Sequence, residues 1–137
     1  MKKQLFATQF ESHHAREVFP CVDEPAAKAT YDVTLKTAPE LTVLGNMPVT
    51  ESSENDGALK TTFATTPRMS SYLLAFVIGE LHKKTAHTTS GVEVNVWATP
   101  AQGEETLDFA LDIATRSIDF YDEYFGVPYP QIGRAHV

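Results

Sequence analysis

Near the start of the sequence, in "FATQFESHHAREVFPCVDEP", two acceptor side chains flank a phenylalanine: Gln9 and Glu11 around Phe10. On an extended backbone Gln9 and Glu11 share one face and Phe10 takes the other. An ionised Glu accepts with charge assistance and a Gln adds a neutral acceptor, so the pair suits an ammonium group with its three donors. The free α-amine of a peptide is such a group. By spacing alone, the pair reads equally as a solvated strand face, the more common case.

The neighbouring candidates are weaker. His13 and His14 are adjacent, whereas zinc-binding pairs on helices stand at i and i+4, so they read as surface or supporting residues. His82, His87 and His136 are scattered. Asp23 and Glu24 could do acid–base work, but acids before a proline more often cap a turn, and a structural role is expected. Cys21, among Phe19, Pro20 and Val22, reads as a buried thiol rather than a nucleophile. G-x-S-x-G, P-loop, H-E-x-x-H and G-x-G-x-x-G patterns are all missing from the sequence, which carries no complete catalytic constellation.

The elements that must position these residues are mostly strands. Leu5 to Glu11 alternates well enough to be extended, "SHHAREVF" suits a short helical turn, and "CVDEPAA" a tight turn stiffened by Pro25. "KATYDVTLKT" alternates, with Ala29, Tyr31, Val33 and Leu35 on one side. "LTVLGNMPV" predicts two short strands around a Gly-Asn break, "ESSENDG" a polar turn, and "ALKTTFA" a half-buried strand. "SSYLLAFVIGEL" is apolar on both faces and predicts a central strand. "HKKTAHTTSG" predicts a turn. "VEVNVWATP" predicts a strand with Val92, Val94 and Val96 inward.

The period then changes. Leu107, Leu111, Ala114, Ile118, Tyr121 and Phe125 form one stripe of an amphipathic helix. Glu104, Glu105 and Asp108 suit its N-terminus, and Gly126 with Pro128 suits its end. Phe120, Tyr121, Tyr124, Phe125 and Tyr129 read as core and domain-interface packing. The expected fold is mainly β, a partial β-sandwich followed by one long α-helix, with a change of domain near Pro100 to Gly103.

The totals set bounds. The chain has 137 residues, 42% hydrophobic and 21% charged, which suits an ordinary globular chain of one modest domain. A net charge of −7 without a Lys/Arg cluster argues against a nucleic-acid surface. No run is long enough for a membrane span, and the start lacks a signal-peptide pattern. The single cysteine rules out an internal disulfide framework. The compartment stays open.

Six segments in order, "ATQFE", "AREVFPCVDEPAAKATYDVTL", "LGNMPV", "TPRMSSYLLAFVIGEL", "VEVNVWATP" and "FALDIATRSIDFYDEYFGVPYP", closely resemble the gluzincin zinc aminopeptidases. The resemblance runs from about Leu5 to Pro130. It implies a saddle-like N-terminal β domain over residues 1–101 and the start of a thermolysin-like catalytic domain over 102–131. It implies zinc in the full-length enzyme, held on an H-E-x-x-H motif that this sequence lacks, and peptide substrates with a free N-terminus. By the same resemblance, Gln9 contacts the first side-chain pocket and Glu11 holds the free amine, with the catalytic domain of the same protein as partner. The chain alone is then expected to be inactive and poorly soluble. Met1 is expected to be an internal or artificial start, and Ile132 to Val137 a non-native tail, since codons for those residues resemble a sequencing adapter. The alternative is a freestanding β-sandwich binding module without catalysis.

Overall fold

In a computed structural model the described residues are 5–129, together with the backbone of 135–136. The expectations about Met1 and about the tail at 132–137 lie outside the described side chains. The chain divides into two compact units, residues 1–80 and 81–137. This division falls earlier than the expected change of domain. Among the described residues the fold is mainly β, with three three-stranded sheets, none closed into a barrel, and one long helix. Among the described residues, no helix is long and apolar enough to cross a membrane.

The first unit holds two antiparallel sheets. In one, β1 (Leu5–Ala7) and β3 (Thr42–Gly45) flank β6 (Phe76–Gly79), so the apolar "FVIG" run is central, as its two-sided hydrophobicity predicts. The other places β5 (Ala58–Phe63) between β2 (Thr34–Thr37) and β4 (Val49–Asn55). The sheets meet where β3 passes the Phe63 ring: a Cβ added at Gly45 would come within 3.1 Å of it, so a larger residue there would require the ring to shift.

Several expected elements change. "ESSEN" is strand rather than turn; the turn is Asp56–Gly57 alone, at φ 52° and 71°. Positive φ at both positions fits a two-residue hairpin, and the Asp-Gly pair supplies it. Tyr31, Val33 and Leu35 are half-buried and their neighbours exposed, as the alternation predicts, but regular pairing begins only at Thr34. "SSYLL" is a 3-10 turn, Ser71–Leu73, ahead of β6. The core of this unit gathers Phe10, Ala15 and Leu74, with Phe19, Cys21, Tyr31, Met69 and Phe76 packed around them.

The second unit is a hairpin with a helix on it. β7 (His82–His87) pairs antiparallel with β8 (Glu93–Ala98), which also pairs in parallel with β9 (Ala135–His136). "HKKTAH" is therefore strand, against the expected turn. Its own residues are polar; pairing with the valine-rich β8 makes it a strand, a tertiary override of weak local preference. Lys84 lies opposite Val96 and its Nζ reaches Asp108 Oδ1 at 2.6 Å. The valine face thus looks toward α1 (Glu105–Phe125), and Val92, Val94 and Val96 are buried as predicted. Gly126 ends α1 at φ 62°. Of the predicted stripe, Leu107 is buried and Leu111, Ala114 and Ile118 half-buried, but Tyr121 and Phe125 are exposed. So are Phe120, Tyr124 and Tyr129, against the expected core packing: the hairpin's turn meets the later part of the helix through polar contacts, Thr89 with Asp119 and Ser90 with Asp122, which leave these rings uncovered.

Candidate functional site

The Gln9–Glu11 segment is not the end of a strand. Pairing of β1 with β6 stops at Ala7, since the Phe76 N–H donates to the Thr8 hydroxyl at 3.0 Å while Thr8 N–H still donates to the Phe76 carbonyl at 3.1 Å. The side chain takes the ladder's next donor, and the chain leaves the sheet.

Phe10 then anchors the departing chain. It is 3% exposed and packs edge-on against Phe19 and Phe76, with ring centroids 6.2 and 5.9 Å away. Burying a phenylalanine contributes about 1.5–3 kcal/mol. With Phe10 inward, Gln9 and Glu11 are both exposed. The His14 N–H donates to the Phe10 carbonyl at 3.0 Å, closing residues 10–14 into a turn with Glu11 on it.

The two candidate side chains are used differently. The Gln9 Oε1 accepts the Glu11 N–H at 2.8 Å, so Gln9 holds the Glu11 backbone. The Glu11 carboxylate makes no hydrogen bond or ion pair among the described residues. Arg16, the nearest cation along the chain, is directed elsewhere, at Asp23.

Asp23 is the buried acid of this region. Its Oδ1 accepts the Ser71 hydroxyl at 2.6 Å, and its Oδ2 accepts the Arg16 N–H at 3.1 Å and Nε–H at 3.3 Å. The Arg16 Nη2 donates to the Asp23 carbonyl at 2.9 Å. The Ser71 hydrogen bond, with the donors and charge of Arg16, holds this carboxyl below the usual carboxylate range despite the opposing effect of burial. The structural role expected of Asp23 is borne out, and Ser71 and Arg16 are partners that local sequence gave no signal for. Glu24 begins the predicted turn, its carbonyl accepting the Ala27 N–H at 3.0 Å. Burial, and next the charge of Asp23, pushes the Cys21 thiol up, which fits a packed thiol rather than a nucleophile.

His13 and His14 are exposed and stacked, with centroids 4.8 Å apart; His13 Nδ1 meets Ser12 Oγ at 2.9 Å and His14 Nδ1 meets Glu17 Oε1 at 2.7 Å. They lie just before the 3-10 turn Ala15–Glu17, where a helical turn was predicted, with His14 as its N-cap. Among the described residues, no three His, Cys, Asp or Glu side chains converge as a metal site would require. The described residues therefore do not fit a zinc ion.

Comparison with known proteins gives this geometry a family context. The family profile described as "Peptidase M1 N-terminal domain" matches residues 1–73. The chain is 58% identical over 132 residues to aminopeptidase N of Lactococcus lactis subsp. lactis, covering 94% of this chain and 16% of that protein. It is 50% identical over 131 residues to puromycin-sensitive aminopeptidase of Caenorhabditis elegans, covering 94% of this chain and 14% of the relative. Aminopeptidase M1 of Arabidopsis thaliana is 40% identical over 129 residues, covering 94% and 15%. The chain thus spans a small part of the length of the curated relatives it matches.

Proposed function

Because the chain belongs to the peptidase M1 N-terminal domain family, we propose that it is part of an aminopeptidase and supplies the contact for the substrate's free α-amine. The observation that carries this reading is the exposed Glu11 carboxylate, without a partner among the described residues, on a turn fixed by Phe10, Gln9 and His14. A carboxylate held in one place and left unpaired is suited to grip a cation arriving from solvent. Gripping the amine fixes the register of the peptide, so that only its first bond is presented for cleavage.

Gln9 orients Glu11 through the 2.8 Å hydrogen bond and keeps its amide N–H donors for the first residue of the peptide. Residues 1–101 are the later part of an N-terminal β domain, and 102–131 begin a catalytic domain. The β7–β8 hairpin is then the surface on which α1 rests. Zinc, which the resemblance implies, belongs in this reading to residues of the longer protein.

The test uses the full-length protein and a peptide series. Residues should be released one at a time from the free N-terminus, and N-acetylation should abolish release. Cleavage at internal bonds, or equal cleavage of the acetylated series, contradicts the reading.

A further inference from the structure

The turn that carries Glu11 has two feet. One is Phe10 in the core, and the other is the 3-10 turn at Ala15–Glu17, where Ala15 is fully buried. Within that second foot the Arg16 N–H points at Asp23. Asp23 is 1% exposed at its side chain, and its other oxygen takes the hydroxyl of Ser71, itself buried in the turn that leads into the central strand β6. One carboxylate therefore joins the Glu11 turn to the rigid centre of the sheet. The contacts are charge-assisted, and leaving their donors unmet in a buried place is costly.

We propose that Asp23 is a positioning residue for amine recognition: its buried carboxylate, accepting from Ser71 Oγ and from the Arg16 amide and guanidinium, fixes the foot of the turn that carries Glu11. Asp23 does not touch substrate. It acts through Arg16, the 3-10 turn, and the His14 N–H on the Phe10 carbonyl, and so sets where the Glu11 carboxylate stands. Ser71 has the same role at one remove. This inference rests on the amine-binding reading for its consequence in catalysis, but the tether itself is open to an independent measurement.

The experiment uses the full-length protein with Asp23→Asn, the milder Ser71→Ala, Glu11→Ala, and the Asp23→Asn/Glu11→Ala double variant. In Asp23→Asn, amide hydrogen exchange across residues 9–17 should speed about tenfold while that across 93–98 stays unchanged. Ser71→Ala should give a smaller rise, and it decides the matter if Asp23→Asn does not fold. KM for a free-amine substrate should rise about tenfold in Asp23→Asn with kcat within about twofold, and by less than about twofold more when Glu11 is already alanine. Unchanged exchange in the folded variants overturns the tether. An equal KM rise in both backgrounds overturns the claim that it acts through Glu11. If exchange rises while Glu11→Ala alone leaves KM unchanged, the tether stands and the amine-binding reading falls.

Discussion

Phe10 decides where its neighbours point: its ring is buried against Phe19 and Phe76, which leaves Gln9 and Glu11 exposed. The departure from the sheet is not legible in the sequence, because it depends on the Thr8 hydroxyl meeting the Phe76 N–H across a long stretch of chain. Asp23 is similar. Its place before Pro25 announces a turn, but nothing local announces Ser71. The Asp23 carboxyl titrates below its ordinary value of 3.8 when folded. A carboxyl lowered on folding contributes stability that is present above its unfolded value and lost as pH falls through the lower folded one. Unfolding by denaturant should therefore show a midpoint that drops below about pH 3.8, with a shallower drop in Asp23→Asn. Parallel curves for the two proteins would show that Asp23 contributes nothing to the acid limb.

Among the elements, those with a strong hydrophobic period are the ones the sequence announces. β5, β8 and α1 lie close to where alternation or the helical stripe puts them. β7, polar apart from Ala86, and the polar "ESSEN" part of β4 become strands through their partners, so no hydrophobic period reveals them. The stripe of α1 is legible in position, and so is its partial exposure, since a lone helix after the strands has no partner for the whole of it. Its later turns leave Tyr121 54% and Phe125 66% exposed, beside Phe120 and Tyr124 stacked 5.8 Å apart on the surface, and Phe109, near the helix start and off the stripe, is 76% exposed. Apolar patches of this kind drive association unless something covers them. The isolated chain should self-associate at micromolar concentration in sedimentation experiments, and Phe109→Ser with Phe120→Ser should reduce this without loss of helix signal. A wild-type chain that stays monomeric with a sharp, reversible melt would contradict this account of α1.

For the molecule as a whole, the fold class was legible because strands and helix are segregated along the chain, and the six ordered segments pointed to the aminopeptidases before any geometry was known. The candidate site was legible only in part. Glu11 and Gln9 could be named, but not the hydrogen bond by which Gln9 holds Glu11, nor the absence of any cation beside Glu11 among the described residues. In the proposed reading, the Glu11 carboxylate, unpaired among the described residues, receives the incoming amine. The most direct test is the ratio of kcat/KM for a free-amine peptide to that for its N-acetylated counterpart, in the full-length protein and in Glu11→Ala. A charge-assisted contact of this type is worth about 10- to 100-fold, so the ratio should fall by that factor in Glu11→Ala, through KM. An unchanged ratio would mean that Glu11 does not hold the amine.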